Sequence, residues 1–263
     1  MPAMYTHHAF AKEVRERLRP PYRKTADTFE NEYMIGAQGP DFLFFYYPFT
    51  KNKVKNEGER IHHEAARLLF EPARDIVREK GIDSAYGAYA MGLLCHFMLD
   101  SSCHGSVEEQ IGHTGLSHAG LEGELDRMLM LRDGLDPVSY YPAGFMNPGP
   151  SCAAVVASFY PGVAQEKVHK SLKALKWYKN FLVAEHKGKR FALETGMKCT
   201  GVYHKFGGLM MGTAADPRAE QAVSLFYRLY QDAVGNTARL IRDYMDGVIT
   251  KEPLAKRFER NFE

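Results

Sequence analysis

His96-Phe97-Met98-Leu99-Asp100, followed by His104 and then by His118-Ala119-Gly120-Leu121-Glu122, places three histidines and two carboxylates within 27 residues. His96 and Asp100 are four residues apart, and so are His118 and Glu122. On a helix that spacing stacks both side chains on one face, one turn apart, and offers two convergent ligands to a single metal ion. Two such pairs predict two metal positions rather than one. His104 lies about 80° around the helix from His96, which suits a neighbouring ion rather than the same one. Asp100 and Glu122 would be costly to bury as unpaired charges, and a metal removes that cost.

Outward from this stretch, helical periodicity dominates and no convincing period-two strand is present. The pattern predicts helices at roughly 6–18, 59–79, 84–104, 118–131, 152–160, 164–186 and 216–247, with a short one near 253–261. Pro20-Pro21, Gly36 to Pro40, Gly112 to Gly115 and Tyr141 to Pro150 read as breaks. The expected architecture is all-α: a single-domain multi-helix bundle over 1–263. Its metal-bearing half covers about 1–131 and its packing half about 132–263. Beyond residue 150 no chemical motif stands out, and stripes such as Leu225-Phe226-Leu229 read as core.

The chain has 263 residues, 45% apolar and 25% charged, ordinary values for a globular protein. A net charge of +2 gives no argument for long nucleic acid or an acidic membrane surface as partner. Cys95 and Cys103 are eight apart on one expected helix, about 12 Å of rise, too far for a disulfide. Free thiols fit a reducing compartment. The start, Met-Pro-Ala-Met-Tyr-Thr-His-His, lacks the charged and apolar runs of a signal peptide. No segment approaches the ~20 apolar residues of a membrane span, and no amphipathic membrane-surface helix stands out. A cytoplasmic location is expected. The sequence carries no signal for oligomeric state.

Two adjacent histidine pairs can be sorted by the company they keep. From His7 the helical neighbours are Phe10, Ala11, Val14 and Leu18, an apolar stripe. From His8 they are Ala11, Lys12, Arg15 and Arg19, a solvent face. His7 is the inward one. By the same test His62, leading to Ala65, Ala66 and Leu69, points inward rather than His63. A lone inward histidine is more often a hydrogen-bonded core residue than a ligand. Several of them with carboxylates at helical spacing favour the ligand reading. His113, His169, His186 and His204 have no partner at useful spacing and read as structural or exposed.

Three further features keep two readings each. Gly36-Ala37-Gln38-Gly39-Pro40-Asp41 is either a turn with Asp41 as a local cap or a loop that aims a catalytic base beside the metals. The aromatic block that begins at Phe42 and runs to Phe49 is either core or the wall of a pocket for an apolar or cationic head group. Asp126, one turn beyond Glu122, either accepts a hydrogen bond from a ligating histidine or is an exposed helix carboxylate.

Taken in order, Thr6-His7, Gly36 to Asp41, Gly58 with His62, His96-xxx-Asp100, His104 and His118-xxx-Glu122 resemble the zinc-dependent phospholipase C family. That family shares its fold with the single-strand nucleases and 3′-nucleotidases. The resemblance spans about residues 4–131. It implies a helical fold holding up to three zinc ions. His62, His96 and Asp100 would hold one, and His104, His118 and Glu122 a second. His7 would hold a third together with Asp100, which bridges. It also implies that Asp41 is the acid placed to activate water. The secreted enzymes complete the third position with an N-terminal Trp, whereas the only tryptophan here is Trp177. The Asp100-to-His104 interval is also two residues shorter than in those enzymes. The expectation is therefore two zinc ions with a third possible, and the better match is to the intracellular, uncharacterised branch. Glu122 favours the phospholipase branch, since the nucleases carry Asp at that position.

The resemblance implies a zinc-dependent phosphodiester hydrolase acting on a lipid or other small phosphoester with metal-activated water. The alternatives are a nuclease or nucleotidase, which would want a basic groove and stacking platforms, and a metal-binding domain without catalysis.

Overall fold

A computed structural model describes residues 3–201, 203 and 207–263. It is all-α, with no strand among the described residues. The chain runs α1 (Met4–Glu16), α2 (Pro20–Thr28), α3 (Glu30–Gly36), a 3-10 turn (Gly39–Phe45), α4 (Lys53–His63) and α5 (Arg67–Lys80). It continues through α6 (Ala85–Thr114), α7 (His118–Arg132), α8 (Pro150–Ala157), α9 (Gln165–Phe181) and α10 (Lys187–Cys199), and ends with α11 (Glu220–Thr250) and a 3-10 turn (Lys256–Glu259).

α6 is the axis. Its residues from Gly87 to Ser101 are buried without a break, so this stretch is enclosed on every side and carries no outward stripe. Ser84 caps its start by accepting from the Gly87 amide, and Gly115, at φ 66°, closes its end in the left-handed region. α1, α3, α5 and α11 pack around it, and one apolar core runs from Met4 to Phe262.

α3 crosses α6 with almost no space between backbones. A Cβ on Gly92 would lie 2.0 Å from the Tyr33 carbonyl oxygen, and one on Gly36 2.4 Å from that of Tyr89. The Tyr33 hydroxyl donates to the Ala11 carbonyl at 2.8 Å, which ties α1 to the same crossing. This contact places the Gly36–Asp41 segment against the middle of α6, where His96 lies.

Several expected boundaries move for physical reasons. Pro20-Pro21 starts a helix rather than breaking one, because proline at the first helical position has no amide to waste. The helix expected at 59–79 is two, parted at residues 64–66. There the chain end intervenes: Phe262 N donates to the His62 carbonyl at 3.2 Å and Ala66 N to the Arg260 carbonyl at 2.8 Å. α6 runs on to Thr114 instead of ending near 104, and α9 stops at Phe181. α10 is a helix with no buried residue, so it has no apolar stripe for a pattern to reveal. His204 lies outside the described residues.

Gly92→Ala should overpack the α3–α6 crossing and cost roughly 1–3 kcal/mol. At about this chain length that lowers Tm by roughly 2–4 °C per kcal/mol. Thermal unfolding followed by circular dichroism checks this, and an unchanged Tm contradicts the close crossing.

Candidate metal centre

The first histidine–carboxylate pair of α6 sits at its most buried point. His96 and Asp100 are both 0% exposed. His96 Nδ1 faces the Ala37 carbonyl at 3.3 Å. A carbonyl only accepts, so Nδ1 carries the proton and Nε2 presents its lone pair. That Nε2 lies 3.1 Å from Asp100 Oδ2 and 3.7 Å from Asp41 Oδ1. His62, in the last turn of α4, repeats the arrangement. Its Nδ1 donates to the Gly58 carbonyl at 2.7 Å, and its Nε2 lies 3.1 Å from Asp41 Oδ1. α1 delivers His7, whose Nε2 lies 3.2 Å from Asp100 Oδ1 and whose ring stacks on His96 at 4.4 Å.

In their neutral forms His62 and His96, with Nδ1 on a carbonyl, turn Nε2 lone pairs toward carboxylate oxygens 3.1 to 3.7 Å away, an arrangement that a cation between them would satisfy. His7 Nδ1 and Nε2, His96 Nε2 and both Asp100 oxygens are buried and make no hydrogen bond of acceptable geometry. Burial pushes the Asp100 carboxyl up, yet His96 and His7 outweigh it and hold the group well below the usual carboxylate range. Asp41 is likewise held down, against its burial, by His96 and His62. Burial keeps His7 below the ordinary imidazole value, in the neutral form that binds metal. Two ligand-competent sets result, His62–His96–Asp100 and His7–Asp41–His96. Nitrogen and oxygen donors without sulfur suit zinc. Cys95 is buried beside the Tyr33 hydroxyl instead, and the four cysteines are unpaired.

The second pair is more open. Ser117 caps α7 and so sets His118 in the first turn. His118 Nε2 lies 2.8 Å from Glu122 Oε1, and its ring is 5.4 Å from that of His104. Glu108, which the motif reading did not single out, meets His118 Nδ1 at 2.7 Å and His104 Nε2 at 4.0 Å. The signal was present, since Glu108 stands four residues after His104, the same helical spacing as the ligand pairs. A carboxylate on the far nitrogen of an imidazole fixes its tautomer and ring plane. Asp41, His62, His104, His118 and Glu122 line one cleft of about 470 Å³, with His7, His96 and Asp100 behind it.

Other side chains fall differently from the sequence reading. Asp41 belongs to the first turn of the 3-10 segment and lies beside His62 and His96 rather than serving only as a local cap. Phe42 does not line the cleft. It is fully buried edge-on against Tyr160 at 5.3 Å, and Phe44 and Phe45 are the rings at the cleft wall. A 3-10 turn exposes a different face from the one a continuous pattern suggests. His8 is not on open solvent, because Phe145 stacks on it at 4.2 Å and burial lowers its pKa to about 4. His63 is exposed beside Glu263 at 2.9 Å. The part of the chain beyond 131 is not packing alone, since Leu175, Lys179, Leu209 and Glu263 reach the cleft.

Asp126 is buried and accepts from the Tyr5 amide at 3.1 Å, the Thr6 amide at 2.7 Å and the Thr6 hydroxyl at 2.6 Å. Its donors are therefore the open N-terminus of α1 and not a ligating histidine. The helix has no cap of its own, since Ala3 stands at that position. Asp126 supplies the cap from α7 and so locks α1, with His7 one residue on. Gly39 fixes the other side. It has φ 52°, and a Cβ there would lie 2.1 Å from the His96 ring.

The family model described as zinc dependent phospholipase C matches residues 6–190, which include every residue of both groups. The chain belongs to that family, and membership supports zinc as the metal. Comparison with curated proteins and with solved structures gives no match.

Asp126→Ala should remove the α1 cap and leave buried amides unsatisfied, at roughly 1–3 kcal/mol. Urea unfolding of the variant beside wild type measures this, and equal stabilities contradict the capping role.

Proposed function

We propose that the protein is a zinc-dependent phosphodiester hydrolase that cleaves a phospholipid or a similar head-group ester. The observation that carries the proposal is the set of unpartnered His7, His96 and Asp100 atoms buried behind a cleft that further histidines and carboxylates line. His62, His96 and Asp100 would hold one ion, and His104, His118 and Glu122 a second. His7 with Asp100 would hold a weaker third. Zinc bound there supplies Lewis acidity toward phosphoryl oxygens and a lowered pKa for water.

The chain's own residues do the remaining work. Asp41, on the cleft side of the first group, is placed to accept a proton from the attacking water. The water oxygen bonds to phosphorus as the ester bond to the lipid oxygen breaks, and that oxygen leaves with the proton that Asp41 took from the water, passed on directly or through solvent. Asp100, closed off from solvent, keeps its charge for the ligand set and not for proton transfer. Phe44 and Phe45 offer apolar ring surface, and Glu59 and Glu263 offer negative charge at the same cleft. This combination suits a cationic head group. The cleft volume fits a head-group phosphoester rather than a folded polymer.

Purified protein should contain two tightly held zinc ions per chain by elemental analysis, and chelation should abolish hydrolysis of a small chromogenic phosphodiester. Full activity without metal refutes the proposal. Asp100→Ala should lose more metal than any other single change, because Asp100 faces both His7 and His96, whereas His104→Ala should empty only the second position. Metal content equal to wild type in Asp100→Ala removes its bridging role.

Asp41→Asn should lower kcat by about 10²–10⁴-fold with little change in KM and with zinc retained. Zinc loss in this variant makes Asp41 chiefly a ligand. Wild-type activity makes it a turn residue.

A further inference from the structure

The whole-chain charge of +2 hides a local concentration of cations. Residues 165–190 carry eight basic side chains, against Glu166 and Glu185 as the only acids. Along α9, Lys170, Lys173, Trp177 and Phe181 follow at helical spacing and are all exposed. Trp177 is 56% exposed, and Phe49, in the segment before α4, is 69% exposed.

These rings form one connected patch. Trp177 stacks on Phe181 at 4.8 Å and meets Tyr178 edge-on at 4.8 Å, and Phe49 meets Tyr178 at 6.1 Å. Lysines border the rings. Lys170 Nζ sits 3.9 Å over the Tyr47 ring, and Lys189 Nζ sits 5.4 Å over Phe181. Tyr47 holds φ at 46°, a left-handed backbone uncommon for a bulky residue, and its ring stays half exposed. The patch also reaches the cleft. Tyr178 touches Phe45 at 6.1 Å, and Phe45, Leu175 and Lys179 line the cleft wall.

Single exposed apolar residues are normal, but a contiguous aromatic patch marks an interaction surface. Trp and Tyr rings edged by lysine stems are the chemistry of the lipid–water boundary, where the rings enter the head-group layer and the ammonium groups stay with phosphates. The near absence of acids in 165–190 favours a negatively charged partner over a mixed-charge protein surface. We propose that the face made by α9 and residues 46–50 docks on an anionic phospholipid surface and brings the cleft mouth to the bilayer. The purpose of docking rests on the phospholipid reading above, but the binding itself does not need catalysis.

Trp177 is the chain's one tryptophan, so its fluorescence reports on this face alone. The full-length protein, zinc-loaded and chelator-treated, is mixed with vesicles of phosphatidylcholine alone or with added phosphatidylserine. Trp177 emission should move to shorter wavelength, and protein should sediment with the vesicles, more strongly where phosphatidylserine is present and in both metal states. Phe181→Ala combined with Phe49→Ser should weaken partition by at least about tenfold. Lys173→Glu combined with Lys189→Glu should remove the preference for phosphatidylserine. Both double variants should hydrolyse a soluble phosphodiester at the wild-type rate. No emission shift on either vesicle, or equal partition to both, overturns the proposal. So does a shift without vesicles that grows with protein concentration, which would mark the face as a contact between two copies of the chain. Vesicle binding without any hydrolysis sustains this surface while defeating the proposed activity, and soluble-ester hydrolysis without vesicle binding does the reverse.

Discussion

The Asp100 carboxylate is the constraint around which the structure is arranged. It sits at 0% exposure in the middle of α6, at the end of the stretch enclosed on every side, facing imidazoles on both of its oxygens. A buried anion survives only if positive charge is brought to it. Three chain segments converge to supply donors that could hold a cation beside it. α1 brings His7, α4 brings His62 and the Gly36–Asp41 segment orients His96 through the Ala37 carbonyl. The glycine crossing of α3 on α6 and the Asp126 cap on α1 are the devices that hold those segments in place.

Much of this was legible in the sequence. The i, i+4 pairs His96–Asp100 and His118–Glu122 reported a real helical face, because ligand pairing and helix geometry share one period. The stripe test found the inward member of each pair, His7 and His62, and was right that His63 is exposed, but it missed that Phe145 covers His8. What stayed hidden depends on contacts far apart in the chain. Asp126 reads as one more helix carboxylate until Thr6, 120 residues away, is seen to donate to it. The break after His63 is set by the backbone of residues 260–262, which no local pattern carries. Of the two readings of the aromatic block, core holds for Phe42 and cleft wall for Phe44 and Phe45, because a run of aromatic residues does not reveal the turn that decides which ring goes inward.

The centre is graded from closed to open. His7, His96 and Asp100 are sealed, Asp41 and His62 stand between, and His118 and Glu122 face the cleft with His104. Such a gradient separates structural duty from chemical duty. Groups without solvent contact keep fixed protonation states, which a ligand set needs. Groups at the cleft can exchange protons with water, which hydrolysis needs. The aromatic and basic face of α9 continues outward from the same cleft wall, so one continuous set of residues joins that face to the histidine–carboxylate group.

Zinc K-edge X-ray absorption on the purified protein tests the central claim most directly. The account predicts a zinc edge with a first shell of nitrogen and oxygen near 2.0–2.2 Å and no sulfur. A sulfur shell near 2.3 Å, placing the metal on cysteine, or the absence of zinc from protein prepared in its presence, would contradict it.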